Sequence, residues 1–218
     1  LAMNTNDMAS ILELLHAELP NLERVGTYAY ARDVDEKTVK DLQRLHELGL
    51  GIVYIGLETG DDELLKWIRK GVSNQENIDA CKKIREAGIP LSLTIILGLG
   101  GLEISERHAT ATAASLNEID PEYVGALTLM TPQTTPIYEM VKRGDFTPMS
   151  SFEILKELRT LVENLELKNC IFRTNHASNY LPVRGTLSRD KQRVLDKIDA
   201  VLERGDTRNL RPSYLRGL

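Results

Sequence analysis

The sequence predicts an α/β protein in which parallel strands are covered by helices. Two observations support this prediction: short apolar or β-branched runs alternate with amphipathic helices, and the turns between them are short. In addition, the run 52–57 is apolar almost throughout, as expected of a strand that is buried on both faces. This alternation is typical of parallel sheets with covering helices. An open doubly wound sheet and a barrel satisfy it equally well.

The first part of the chain repeats the unit regularly. We expect helices over 6–19, 35–48, 61–70, 73–88 and 105–119, and strands over 25–30, 52–57, 91–97 and 123–130. Asp35 is the expected N-cap of the second helix, and Ser73 with Glu76 fits a capping box. Glycines at 49, 71 and 88 are expected to end three of the helices.

After residue 130 the repeating unit becomes less regular. We expect a short helix from Thr135 to Gly144, a longer helix over 151–165 and a last strand over 170–174. A polar loop over 175–185 and a final helix over 188–203, capped by Ser188, complete the prediction. The tail 206–218 has no clear period, so we expect it to lie on the surface.

Composition narrows the class of function. The 218-residue chain carries a net charge of -5, which argues against a dedicated nucleic-acid binder because such proteins usually have a basic excess. No apolar run reaches the roughly 18 to 20 residues of a membrane span. The two cysteines, Cys81 and Cys170, have no metal-ligand spacing. A reducing, cytoplasmic location is therefore expected.

Polar or glycine-rich segments follow four of the predicted strands, where parallel α/β folds bind ligands. In Gly56-Leu57-Glu58-Thr59-Gly60, a carboxylate and a hydroxyl are available to ribose hydroxyls or an ammonium group; the alternative is a turn that caps the next helix. Leu97 and Gly98 open a glycine-rich turn, which permits close approach to the backbone or is simply flexible. Met130 and Thr131 begin a proline-containing loop, which is either a site wall or a rigid connector.

The fourth segment, 173–180, is unusually polar, since seven of its eight residues can form hydrogen bonds or ionise. Such density is typical of a site because buried polar groups must be paired, although a solvated surface loop is the alternative. His176 is a candidate proton donor, base or ligand. We therefore predict Asn175, His176 and Asn179 as substrate-side residues.

Taken in order, these segments resemble the radical S-adenosylmethionine (SAM) superfamily, in the branch that contains oxygen-independent coproporphyrinogen oxidases and methylthiotransferases. The family pattern G-[VL]-[QE]-[ST]-G corresponds to 56–60, and D-x-x-L-L-x-x-[IM]-x-[RK]-G corresponds to 62–71. An A-G-I-like turn follows at 87–89, and I-x-G-L-P-G-E corresponds to the segment from Ile96, with Gly100 in place of proline. The resemblance extends over about residues 1 to 135.

The resemblance implies a partial six-stranded (β/α) barrel of the TIM type with parallel strands. Residues 1–135 would form the partial barrel, and 136–218 would add the last strand, the polar loop and a helical extension to the same domain. It also implies a parent enzyme that binds SAM and a [4Fe–4S] cluster and cleaves SAM reductively to a 5′-deoxyadenosyl radical. The C-x-x-x-C-x-x-C motif that holds the cluster is absent from this sequence. We therefore expect the chain to begin after the family's second strand, to lack the cluster and to be inactive alone.

The resemblance further implies which residues lie at the site. At the amino-acid and ribose end of SAM, Glu58 and Thr59 are expected at the ribose or methionine part, and Lys70 near the carboxylate. At the adenine end, Leu97 and Gly98 are expected to contact the ring through their backbone. Met130 and Thr131 are expected to flank the adenine. Tyr30 and Arg32 end the first strand and are expected to face the cavity on the substrate side.

Two other functions remain open from the sequence. The chain could be a degenerate, non-catalytic barrel that serves as a scaffold or binding module. It could also be a cofactor-free or metal-dependent (β/α) barrel enzyme, such as an aldolase-like lyase, but Glu58 and His176 are the only obvious metal-ligand pair, and two ligands are too few. The expected partner is a small-molecule substrate or a modified macromolecule, with no membrane and with nucleic acid disfavoured by charge. The open edge of strand 25–30 is expected to be covered by other chain material or by a second copy, since unpaired edges aggregate.

Overall fold

Five parallel strands and one antiparallel strand form a single sheet in the computed structural model, which describes residues 1–217. The strands are β1 Val25–Ala29, β2 Leu50–Glu58, β3 Leu91–Leu97, β4 Tyr123–Thr128, β5 Cys170–Arg173 and β6 Arg184–Leu187. Their order in the sheet is the order of the sequence, and β1 to β5 are parallel. The predicted α/β class with parallel strands is thus confirmed, whereas β6 pairs antiparallel with β5 and was not predicted.

Nine α-helices connect and cover these strands within residues 1–217. They are α1 Thr5–Glu18, α2 Ala31–Asp35, α3 Val39–Glu47, α4 Asp62–Trp67, α5 Asn74–Glu86, α6 Ser105–Ile119, α7 Pro136–Arg143, α8 Ser151–Asn164 and α9 Lys191–Arg204. A 3₁₀ turn, Ser213–Leu215, follows near the end. In the same residues, no helix is both long enough and apolar enough to cross a membrane.

Two helix boundaries differ from the prediction. The single helix expected over 35–48 is two helices, and Asp35 ends α2 instead of capping the next one. Thr38 caps α3 instead, because its hydroxyl accepts a hydrogen bond from the backbone of Asp41 while the Asp41 carboxylate accepts from Thr38. The last helix begins at Lys191, since Ser188 donates to the carbonyl of Lys168 and does not cap it.

Strand β6 forms because Thr174 reverses the chain within the segment predicted as a polar loop. The Thr174 hydroxyl donates to the carbonyl of Leu181 and accepts from the backbone N–H of Val183. The Thr174 N–H donates in turn to the Val183 carbonyl. These bonds direct the chain back along β5, where Arg184 pairs with Arg173.

The sheet has one covered face and one open face. On β3, Leu91, Leu93, Ile95 and Leu97 are buried beneath the helices, while the alternate residues are only partly buried. We call the second side the open face. It is formed by Gly26, Tyr28, Tyr54, Gly56, Ser92, Thr94, Ile96, Tyr123, Gly125, Leu127, Ile171, Arg173, Arg184 and Thr186.

Candidate functional site

A carboxylate–ammonium pair lies where β2 ends. Lys70 Nζ is 2.9 Å from Glu58 Oε1, and the two side chains are 17% and 19% exposed. A Cβ at Gly56 would lie 2.1 Å from Glu58 Oε1 and 3.1 Å from Lys70 Nζ, so the pair covers Gly56 on the open face. Glu58 has a φ of +62°, a conformation that is unusual for this residue type and occurs often at functional sites.

Two of the predicted substrate-side residues lie beside this pair. Lys70 Nζ is 5.8 Å from the centroid of the Tyr30 ring. The Arg32 guanidinium donates to the carbonyl of Gly71, next to Lys70 in sequence. The structure therefore brings Tyr30, Glu58 and Lys70 together where β1 and β2 end, whereas Arg32 lies in α2 and not at the end of the strand.

Thr59 differs from its expected placement, because it is fully buried and does not reach the open face. Its hydroxyl lies 2.8 Å from His108 Nδ1 and accepts from the N–H of Asp61. Asp61 in turn caps α4 by accepting from the backbone of Leu64. Asp61 therefore caps α4, as the capping alternative expected, and the buried Thr59 hydroxyl supports this turn.

His108 connects the ends of two strands. Its Nε2 lies 3.0 Å from the carbonyl of Ile96, which can only accept, so Nε2 carries the proton. Nδ1 therefore accepts from Thr59. Burial lowers the pKa of His108, which keeps the imidazole neutral.

A buried carboxyl lies beneath the glycine-rich turn after β3. Glu157 Oε1 is 2.6 Å from the N–H of Gly98, and Oε2 accepts from the hydroxyl of Ser105. Burial raises the pKa of Glu157 to about 7. Glu157 was not predicted as a site residue, although a glutamate within the apolar stripe of α8, one turn after Ile154, was the available signal.

A cavity of about 330 Å³ opens where β3 and β4 end, and its lining includes Gly98, Met130 and Thr131. This volume is within the range of small-ligand pockets, roughly 300 to 1,000 Å³. Leu97 contributes no side chain, because it is buried under the helices and its carbonyl accepts from the N–H of Leu129. The structure thus gathers three of the four residues expected around adenine at one cavity.

The polar segment after β5 has two parts with different exposure. Asn175 and His176 are exposed. Asn179 is buried, its amide oxygen accepts from the Thr128 hydroxyl at 2.8 Å, and its amide nitrogen donates to the carbonyl of Ala126. Asn179 therefore positions the end of β4 and does not present its amide to the open face, which differs from the prediction.

The C-terminal tail lies on the surface, as predicted, but it also forms part of the wall of the candidate site, which was not predicted. Arg216 donates to the carbonyls of Leu129 and Ser178 and to the hydroxyl of Tyr180. Arg211 donates to the carbonyls of residues 176, 177 and 179. Tyr180 and Arg216 also line the cavity.

The cysteines of this chain do not fit an iron–sulfur cluster. Cys81 lies in α5 and Cys170 in β5, and burial raises the pKa of each thiol to about 12, whereas cluster ligands are thiolates. No group of three or more His, Cys, Asp or Glu side chains suited to a metal ion occurs among residues 1–217.

The fold is a partial α/β barrel, and the candidate site lies where its parallel strands end. A profile of the radical SAM superfamily matches residues 5–114, which is half of the chain. The chain therefore belongs to the radical SAM superfamily.

Curated relatives share low identity with this chain. A tRNA uridine(34) acetyltransferase of Methanocaldococcus infernus is 24% identical over 156 residues, which cover 71% of this chain and 29% of that protein. The heme chaperone HemW of Bacillus subtilis is 22% identical over 145 residues, which cover 66% of this chain and 38% of HemW. The chain thus spans well under half the length of these relatives.

Solved structures support the fold. Elp3 of Methanocaldococcus infernus with an N-terminal deletion superposes with a TM-score of 0.57 and 18% identity, covering 85% of this chain and 43% of Elp3. Methylornithine synthase (PylB) gives a TM-score of 0.53 and 18% identity, covering 75% of this chain and 45% of PylB. The predicted partial-barrel architecture is confirmed.

Proposed function

We propose that this chain forms the SAM-binding wall of a radical SAM enzyme that acts on a substrate still to be identified. The observation that carries the proposal is the Glu58–Lys70 pair, which lies where β2 ends. The neighbouring strand, β3, is followed by Gly98, which lines the cavity. Membership of the superfamily implies reductive cleavage of SAM. The activity of the intact enzyme and the roles of individual residues are part of the proposal.

The chemistry of the pair is complementary to the amino-acid end of SAM. SAM carries an α-carboxylate and an α-ammonium, which match the ammonium of Lys70 and the carboxylate of Glu58 through charge-assisted hydrogen bonds. The adenine would occupy the cavity between Gly98, Met130 and Thr131, with the backbone of the turn reading its edge. Thr59 would act through His108, by fixing the turn that orients Glu58.

A [4Fe–4S] cluster with SAM bound supplies the reductive cleavage that yields a 5′-deoxyadenosyl radical. We assign no step of this chemistry to the residues of this chain, because they do not fit the cluster, and we propose that the chain alone is inactive. Its own residues bind and orient SAM. A reducing, cytoplasmic location is also proposed, supported by two free buried thiols.

The test is SAM binding by the 218-residue chain, measured by isothermal titration calorimetry. Lys70→Gln and Glu58→Gln should each weaken binding by about tenfold or more, since a hydrogen bond to a charged group contributes roughly 1.5 to 3 kcal/mol. Lys82→Gln is the matched control, because Lys82 also pairs with a glutamate but is exposed. Binding that is equal in all three variants contradicts the assigned pair. If SAM does not bind at all, the scaffold function is favoured.

A further inference from the structure

Two arginines lie directly opposite each other on the open face. Arg173 of β5 pairs in register with Arg184 of β6, and both side chains are exposed. Among residues 1–217, no carboxylate lies within salt-bridge distance of either guanidinium. Like charges directly opposite in a sheet are destabilising, so an anion bound between the two guanidinium groups would stabilise the pair.

The sheet provides room for that anion beside the arginines. The same transverse row contains Gly125 on β4 and Thr94 on β3. A Cβ at Gly125 would have no neighbouring atom within 4 Å, so space is open next to Arg173. The Thr94 hydroxyl on the neighbouring strand is available as a further hydrogen-bond donor.

The row continues to the proposed SAM site. Gly56 follows Thr94 in the register and is covered by the Glu58–Lys70 pair. Since neighbouring strands are about 4.8 Å apart, Gly125 and Gly56 are separated by roughly 10 Å. A small molecule bound over Thr94 and Gly125 would therefore lie between the arginines and the SAM-binding pair.

We propose that Arg173 and Arg184 bind a carboxylate or phosphate group of a small-molecule substrate, whose body lies over Gly125 and Thr94. The planar guanidinium binds both groups through paired hydrogen bonds. Glu58 is the carboxylate nearest to this row on the described strands, and Lys70 already neutralises it. Calling the ligand a substrate rests on the proposed function, whereas the anion site itself rests on the arginines and the open space.

The geometry favours a small molecule over a nucleic acid. Single-stranded nucleic acid is bound along an extended basic groove with several stacking positions. Here the two arginines lie at one end of the row, and the open space beside them is one residue wide, at Gly125. The Glu58–Lys70 ion pair, which is neutral overall, lies at the opposite end. This arrangement suits one anionic group with a short body.

The experiment titrates inorganic phosphate and, separately, malonate into the 218-residue chain labelled with ¹⁵N-arginine. The Nε–Hε signals of Arg173 and Arg184 should shift saturably with at least one of the two anions, and the comparison distinguishes phosphate from carboxylate. Arg173→Gln and Arg184→Gln should each weaken that binding by about tenfold or more. Arg189→Gln, which removes an exposed arginine paired with Asp190, should leave it unchanged.

A steric variant tests the position of the ligand. Gly125→Val fills space that no protein atom occupies, so the protein should fold and bind SAM as before, yet lose anion binding. Arg173→Gln should also raise the melting temperature of the free protein, because it removes the opposed charge. A purely structural arginine would show the reverse.

Several results would overturn the proposal. One is that neither anion causes a saturable shift at millimolar concentration. A second is that Arg173→Gln and wild type bind the anion equally well. A third is that single-stranded RNA binds tightly and neither anion displaces it. SAM titration of the same samples separates the two proposals. Anion binding without SAM binding refutes the SAM-wall function only, whereas SAM binding without anion binding refutes this site only.

Discussion

At the scale of single residues, Glu157 connects three elements from a buried position. It is 2% exposed and holds the turn after β3 through Gly98 and the start of α6 through Ser105. His108 Nε2 lies only 3.7 Å from Glu157 Oε1, but the proton on that nitrogen is directed to Ile96. Because burial lowers the pKa of His108, the two groups do not form an ion pair near neutral pH.

The raised pKa of Glu157 predicts a specific dependence of stability on pH. The folded-state pKa is about 7 against an ordinary value of 4.5, so between these values the folded protein holds a proton that the unfolded chain has released. Stability should therefore fall as pH rises through this window, by about 3 kcal/mol in total, and then level off. Glu157→Gln is neutral at every pH and keeps a partner for both Gly98 and Ser105. The stability difference between variant and wild type should grow with pH.

Chemical denaturation between about pH 5 and about pH 8 measures this difference. The lowered pKa of His108 makes stability rise with pH below the ordinary pKa of histidine. Because His108 is present in both proteins, the difference in stability between variant and wild type reports on Glu157. Glu153→Gln is a control on the same helix, where hydrogen bonds from Ser150 lower the pKa of the carboxyl and confine its effect to acidic pH. A Glu157→Gln difference that is constant across the range would contradict the assignment.

The residue-scale contacts were the least predictable part of the site. The turn at Glu58 and Thr59 was found because polar residues directly after an apolar run mark a strand end. The direction of the Thr59 hydroxyl, however, depends on His108, which is 49 residues away. Helical periodicity placed His108 on a helix but did not identify its partners, because those lie on other elements.

At the scale of elements, the tail 206–217 fixes the segment that follows β5. Arg216 reaches three oxygen acceptors on two separate loops, including the Leu129 carbonyl 87 residues away in sequence. Its guanidinium also lies 4.1 Å from the centroid of the Tyr180 ring. One side chain therefore joins the β4 loop, the polar segment and the tail into one wall.

Arg216→Gln should loosen this wall. Losing hydrogen bonds from a charged, partly buried donor should lower the free energy of unfolding by about 1 to 3 kcal/mol. Hydrogen exchange should quicken in 128–131 and 175–181, because their carbonyls lose a shared donor. Hydrogen-exchange mass spectrometry measures both segments.

Arg208→Gln serves as the comparison, since Arg208 is exposed on the same tail and pairs only with Asp206. Its loss should leave the free energy of unfolding nearly unchanged, because solvent screens an exposed ion pair. Equal destabilisation by the two variants, or unchanged exchange in the polar segment of Arg216→Gln, would show that Arg216 does not hold the wall together.

Elements with strong local signals were predicted well, and those defined by distant contacts were not. The bounds of β3 and α6 follow directly from apolar alternation and helical periodicity. Strand β6 has no apolar run, since Arg-Gly-Thr-Leu contains one large apolar residue, and its pairing depends on Thr174. The tail lacks a period because its order comes from two arginines bonded to distant carbonyls.

At the scale of the whole molecule, parallel topology explains why strand-end motifs far apart in sequence meet at one edge. Glu58, Gly98 and Met130 follow successive strands, and successive strands are neighbours in this sheet, so their convergence was predictable. The opposition of Arg173 and Arg184 was not, because it requires the register of a hairpin that the sequence did not reveal.

The outer edge of β1 provides the last prediction. The carbonyl of Tyr28 accepts from the N-terminal ammonium at 2.7 Å and therefore points away from β2. Because the N–H and C=O of a strand residue point to the same side, the Tyr28 N–H also points outward. The N-terminal ammonium satisfies the carbonyl, whereas the outward N–H is left to pair with another chain. We propose that the chain self-associates through β1, with a sedimentation coefficient that rises with protein concentration.

Tyr28→Pro tests this association without disturbing the rest of the sheet. Among the backbone hydrogen-bonding groups, proline removes only the outward N–H of residue 28, and edge strands tolerate it at such positions, so the bonds between β1 and β2 remain. Sedimentation velocity should show a monomer at concentrations where the wild type associates. Tyr28→Thr keeps the N–H but removes a ring that is 81% exposed, and it should associate like the wild type. If Tyr28→Thr is monomeric as well, the aromatic ring and not the strand edge causes association. If the wild type is monomeric at every concentration, the proposal is refuted.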